Sequence, residues 1–406
     1  MDVKQRYLEE TYLINLIAES SHKKKLQIYR ENIELLQHYQ IIHVDEKNGK
    51  DNVKRMSDIL SIDRKYLFSP FYSDKLFIIN LRYILGDSII RYFYDILLDT
   101  QIVSYIDRKD SETNELIKDI VMKIGKNRQV KSSASISLYM NENCLFSKKL
   151  SERVLENIKS FFIYMYLGHS KYKWLAKLRA KSAVKRIIKN QEIIFNHPFN
   201  ERMKKQYMLI YILLMKICII SLDKKETRKK VTELMDFQSY HLKAIDIGLT
   251  EIAIAYFRLK QKLSFFGKIQ KGRTDLIDTV KNMAWDLFHL RFQNLSTGLP
   301  HIKGADVTLS LMCSIDKRLL EIRKYMRLKM LAYDKRNFNI FPFYEKDELK
   351  KTLSKDEIIK YFSGDEHYRR LEEKAKLDVD LLASEVENEF INIFYFHKWK
   401  HKVVKK

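Results

Sequence analysis

Proline, glycine and cysteine are scarce in this chain: four, ten and three residues among 406. Proline and glycine break helices and make sharp turns, so their scarcity argues against a turn-rich design and for a predominantly helical protein. Cys144, Cys218 and Cys313 are odd in number, far apart and without a CxxC spacing. That argues against a disulfide framework or a cysteine zinc site and suits a reducing, cytoplasmic setting. The start, Met1-Asp2-Val3-Lys4-Gln5-Arg6, leads into a polar amphipathic segment and not into the apolar run of a secretory leader. Long apolar runs are missing too. The most apolar window, Tyr207 to Leu222, is interrupted by Lys216, so a buried core helix is expected there and not a membrane span. No Gly-rich or Ser-rich linker and no internal repeat divides the sequence.

What is present is apolar content and positive charge. Hydrophobic residues make up 46% of the chain, enough for a large core, and the length suits two or three domains. Lys and Arg number 75 against 52 acids, a formal charge of +23. An excess of this size attracts polyanions, either nucleic acid or an anionic membrane surface; the plain alternative is a well-solvated lysine-rich surface.

Periodicity places helices over Lys4 to about Gln40, a polar loop from Asp45 to Asn52, and a buried helix over Leu76 to Ile90. A short buried strand is expected at Ile96 to Leu98, and a weakly alternating one within Val130 to Tyr139. Long helices follow from Ser151 to Ile220, from Thr232 to Leu263 and from Thr274 to Gln293. Val307 to Cys313 reads as a second buried strand, Lys317 to Leu331 as the helix after it, and Phe338 to Phe343 as a short strand. The remainder from Asp347 is helical and charged, ending in the basic cluster His397-Lys398-Trp399-Lys400-His401-Lys402. The expected division is an N-terminal helical region (1–90), an α/β core (91–345) with a helical insertion at about 145–225, and a basic helical extension (346–406).

Both buried strands end in an acid. Ile96-Leu97-Leu98 leads into Asp99-Thr100, and Leu311-Met312-Cys313 into Ser314-Ile315-Asp316-Lys317-Arg318. Ligands commonly bind at the carboxyl ends of strands in open α/β sheets, so these acids sit where a rigid backbone meets a rim. Between them, Glu251 (Leu249-Thr250-Glu251-Ile252) and Asp286 (Trp285-Asp286-Leu287) are embedded in apolar helices. An acid so placed pays for desolvation unless a cation offsets it. Asp99, Glu251, Asp286 and Asp316 are therefore expected to converge on one cationic centre, with Glu233 (Thr232-Glu233-Leu234) as the alternative to Glu251. His289 is expected to be a packed helix residue, since no metal-spaced His or Cys lies near it in sequence.

The order strand–Asp–Thr, helical Glu, helical Asp, strand–Ser–x–Asp resembles the PIN-like nuclease family. The resemblance spans roughly residues 90 to 345 and rests mainly on Leu98-Asp99-Thr100 and Ser314-Ile315-Asp316-Lys317-Arg318-Leu319. Gln101 stands where the family commonly has Asn, and the interval from Asp99 to Glu251 requires the helical insertion. The resemblance implies an α/β/α core with a short parallel sheet. It also implies a pocket of Asp99, Glu251, Asp286 and Asp316 binding Mg²⁺ or Mn²⁺, and metal-dependent hydrolysis of RNA phosphodiester bonds. Thr100 and Ser314 would hydrogen-bond ligand or water, and Arg291, Lys317 and Arg318 would hold the substrate backbone.

His169 to Asn190 carries eight Lys and Arg residues, among them Lys173, Lys177 and Lys181, and no Asp or Glu. Trp174, Leu175, Leu178 and Ile187 are expected to form its dry side. Such a helix suits RNA phosphates, an anionic membrane or plain solvation. The leading expectation is a metal-dependent endoribonuclease, RNA being favoured over DNA. By analogy alone it would be a toxin-like or phage-defence effector, with a protein inhibitor or regulatory partner. The alternative is a non-catalytic helical nucleic-acid-binding or interaction protein.

Overall fold

A computed structural model describes residues 3–395 except 88–89, 109–111, 128–131, 148, 260–262, 299–304, 338 and 346–347. The basic cluster from His397 to Lys402, the first two residues of the Val130–Tyr139 segment and Phe338 lie outside the described residues. The protein is mixed α/β and predominantly helical, with two small sheets.

The strands in chain order are β1 (Tyr39–Val44), β2 (Lys50–Asp51), β3 (Leu67–Phe68), β4 (Lys75–Ile79), β5 (Tyr92–Leu98), β6 (Ser132–Ser135), β7 (Val307–Cys313), β8 (Leu328–Asp334) and β9 (Ile340–Tyr344). The first sheet has the order β2-β4-β1-β8-β9 and every pairing in it is antiparallel. Residues 1–90, expected to be helical, thus supply three of its five strands. Its alternation is two-sided. Ile41, Ile79 and Ala332 stand side by side and pack with Leu13, Ile14, Ile17 and Tyr29 of the helices Val3–Glu19 and His22–Glu31. Ile42, Ile78 and Leu331, one residue along, enter the main core. A strand apolar on both faces loses the period-two signal, which is why Leu76 to Ile79 resembles a helix in sequence. The helix expected over Leu76 to Ile90 is instead β4 followed by the single turn Leu81–Ile84. Likewise the helix expected over Lys317 to Leu331 ends at Ile322, and Leu328 starts β8.

The second sheet has the order β3-β7-β5-β6. β5 runs parallel to both β6 and β7, and β3 closes the edge antiparallel to β7. All seven residues of β7 are buried, as expected of a central strand covered on both faces. The crossover from β5 to β6 includes the helix Glu112–Lys126, which packs on the helix Glu152–Leu167. Their approach is so close that a Cβ at Gly125 would run into the Met165 carbonyl.

Residues 145–225 carry the expected helices: Glu152–Leu167, Lys173–Lys189, Gln191–Phe195 and Pro198–Ser221. The last is buried along most of its length against Leu276–Ser296 and Val379–Tyr395. Among the described residues no helix is long and apolar enough to cross a membrane.

An acidic pocket at the ends of two parallel strands

Leu98 of β5 stands beside Cys313 of β7, so the two chains leave the sheet at the same rim. Asp99 and Ser314 are the next residue on each, and the Asp99 N–H donates to the Cys313 carbonyl at 3.0 Å. The Ser314 hydroxyl donates to Asp99 Oδ2 at 2.5 Å and accepts the Asp316 N–H at 3.1 Å. Helices begin at once on both chains, Thr100–Tyr105 and Lys317–Ile322. Asp316 caps the second, accepting the Arg318 N–H at 2.8 Å, while the Gln101 amide donates to its other oxygen at 2.6 Å. Gln101 therefore ties the two strand-end loops together.

Asp286 comes to this rim from the helix Leu276–Ser296, and Glu142 from the helix Ser137–Cys144 that follows β6. Their placement is legible in their electrostatics. Burial raises the Asp99 carboxyl to about 6, with Asp316 adding to the effect and the Ser314 hydrogen bond opposing it. Burial raises Glu142 to about 7, with the negative charge of Asp99 adding and a hydrogen bond with Thr100 opposing. Asp286 is pushed well above the carboxylate range by burial, then by Asp99, Asp316 and Glu142 in turn. Asp316 goes the other way. Its burial is outweighed by the Arg318 N–H, Gln101 and the Arg318 guanidinium. The four carboxyls thus lie near enough to feel one another's charge, and three of them are held against ionisation.

Two further groups border it. Lys268, at the end of the 3-10 turn Ser264–Lys268, loses basicity to burial and to Arg318, and is attracted by Asp286 and Asp316. His289, one helical turn beyond Asp286, lies 3.7 Å from Glu142 Oε2. Its imidazole is buried, driven down to about 3 and neutral, and neither ring nitrogen makes a hydrogen bond among the described residues. It packs as expected, but against the acid pocket.

Three of the four acids expected here are brought together: Asp99, Asp286 and Asp316. Glu251 is not with them. It is fully buried, and its carboxylate accepts the N–H groups of Glu348 at 3.0 Å and Leu349 at 3.1 Å, capping the helix Glu348–Thr352. These backbone donors offset its desolvation. Glu233 is paired with Lys225 at 3.0 Å on another surface. The fourth acid is Glu142, in a short helix with almost no amphipathic pattern; only its place one element after β6 distinguishes it in sequence.

Of the expected substrate-binding residues, Thr100 and Ser314 hold pocket acids, and Lys317 and Arg318 lie on the first turn at the rim. Arg291 is not there. Five residues past Asp286, about 140° around the helix, it is partnered with Asp246 at 3.5 Å and the Tyr344 hydroxyl at 3.4 Å. The basic helix Lys173–Lys189 buries Ala176, Ala180 and Ala183 as its dry side. Trp174 and Leu178, expected on that side, are 64% and 62% exposed among the lysines.

The chain matches no family model, no curated protein and no solved structure.

Proposed function

We propose that the chain is a metal-dependent ribonuclease of PIN-like design whose cation is held by Asp99, Glu142, Asp286 and Asp316. The observation that carries this reading is the pairing of Leu98 with Cys313, which sets Asp99 and Ser314-x-Asp316 side by side with two helical acids facing them. The donor set fits a hard divalent cation, which prefers oxygen ligands. No three of these acids have ligand atoms within 4.8 Å of one another; among the described residues the one such trio of His, Cys, Asp or Glu lies elsewhere. Mg²⁺ retains several waters, so these acids would hold it partly through bound water.

A bound divalent cation would neutralise the cluster, acidify a bound water and stabilise charge on the leaving phosphate oxygen. The side chains supply the rest. Gln101 and the Arg318 N–H keep Asp316 ionised and oriented. Ser314 fixes Asp99, and Thr100 holds Glu142 by a hydrogen bond. Lys268, Lys317 and Arg318 offer positive charge to a phosphate backbone at the rim.

Raised carboxyls give the test a sign. Asp99, Glu142 and Asp286 bind protons more tightly folded than unfolded; the contribution of Asp99 and Glu142 to stability is complete below about pH 4 and is lost as pH rises through about 6 and about 7. A divalent cation competes for the same sites and binds better over that range. The thermal midpoint of chelated protein should fall between pH 5 and 8, and the increment on adding Mn²⁺ should grow. An increment that is absent or independent of pH would remove the metal from this pocket.

RNA is the proposed substrate because of the net charge and the acid-free helix Lys173–Lys189, whose lysines and Trp174 face outward. Lys173→Glu, Lys177→Glu and Lys181→Glu together should weaken RNA binding across sequences. They should also flatten the slope of log affinity against log salt by about 2, at roughly 0.7 for each single-strand phosphate no longer neutralised. An unchanged slope would make this helix a solvated face.

A further inference from the structure

A second donor cluster lies away from the acid pocket, where the helix His22–Glu31 meets the five-stranded sheet. We propose that His22, His43 and Asp45 form a zinc site that fastens this helix to β1 and the turn after it. His22 is the first residue of its helix, His43 lies in β1 and Asp45 follows that strand. One ligand atom from each lies within 4.8 Å of the others. His22 Nδ1 stands 2.7 Å from Asp45 Oδ2.

The second observation is an orphaned nitrogen. His43 is only 2% exposed, and its Nδ1–H donates to the Val44 carbonyl at 2.9 Å. That bond fixes the tautomer and leaves the Nε2 lone pair without a hydrogen-bond partner among the described residues. A buried acceptor left unmade is costly, and a ring N–H tied to a carbonyl is the usual support of a metal-ligating imidazole. Asp45 is also pre-oriented. Its Oδ1 accepts the N–H groups of Lys47 at 3.0 Å and Asn48 at 2.9 Å, and the Asn48 side chain donates to Oδ2 at 3.0 Å. Phe77 packs its ring edge-on against His22 and tilted against His43, giving the site an apolar wall. The nearby Lys25 ammonium is turned away to the Ile17 carbonyl.

Two imidazoles and one carboxylate suit a borderline cation, and three protein ligands with a water match tetrahedral Zn²⁺ better than Mg²⁺, which favours an all-oxygen octahedron. The site differs from the acid pocket in ligand type, so the two take different cations.

The test uses the full chain, stripped with chelator and titrated with Zn²⁺ alone in excess Mg²⁺. Bound zinc is counted after gel filtration, and Co²⁺ is substituted to read ligand-field absorption. The unmodified chain and Asp286→Asn should each retain about one zinc and show the cobalt bands. His22→Ala, at a partly exposed helix start, should fold, lose the bands and bind zinc at least about a hundredfold more weakly. His43→Gln should do the same. Retention of no zinc by the unmodified chain, or equal retention by His22→Ala, overturns the proposal; loss of zinc in Asp286→Asn alone assigns the ion to the acid pocket and overturns it equally.

Discussion

Asp99→Asn is expected to reduce RNA hydrolysis by at least about a hundredfold while leaving the chelated protein as stable as before, or more so. The loss is of the size seen when one charge-stabilising group is removed from a catalytic site. The stability follows from the local arrangement. Asp99 is buried, its neighbours Asp316 and Asp286 are also acids, and folding already favours its protonated form. Asparagine keeps the shape, keeps an oxygen to accept the Ser314 hydroxyl, and removes a charge that repels two others. Activity and thermal midpoint at neutral pH, measured on the same preparations, check this. A large fall in both would mean that Asp99 serves the fold and not the reaction.

The second large effect separates two glutamates. Glu142→Gln is expected to abolish hydrolysis with little change in stability, because its carboxyl is a pocket group already held near neutrality. Glu251→Ala is expected to do the reverse. It would leave the Glu348 and Leu349 N–H groups without their buried acceptor, costing about 1.5–3 kcal/mol, and leave the chemistry intact. Denaturant unfolding and single-turnover cleavage on both variants check the pair. A catalytic loss at Glu251 with none at Glu142 would reverse the assignment.

The contrast between these residues indicates what the sequence makes legible. β7 coincides with the run Val307 to Cys313 because a strand buried on both faces is a continuous apolar segment bounded by polar residues. The acids at strand ends follow from that, and Asp99, Asp286 and Asp316 lie near enough to feel one another's charge. Glu142 and Glu251 cannot be told apart by local pattern. Glu251 has the more apolar neighbours, yet its charge is met by backbone donors nearly a hundred residues away. β1, β4 and β8 are not legible because short apolar runs suit a helix or a strand equally, and only their mutual pairing decides. The dry side of the basic helix departs from its pattern for a similar reason. Small alanines permit close packing on the helix Glu152–Leu167, so Trp174 and Leu178 face out. The zinc-site donors are 21 residues apart or adjacent to a turn, with no motif spacing, and meet only through the packing of a helix on a sheet.

The central claim is that the pocket between β5 and β7 holds a divalent cation. An anomalous difference map from crystals soaked in Mn²⁺ at neutral pH or above tests it most directly. The account predicts a peak bounded by Asp99, Glu142, Asp286 and Asp316, lost in Asp286→Asn crystals. A map with no peak in that pocket, at a Mn²⁺ concentration that saturates any thermal shift, would contradict it.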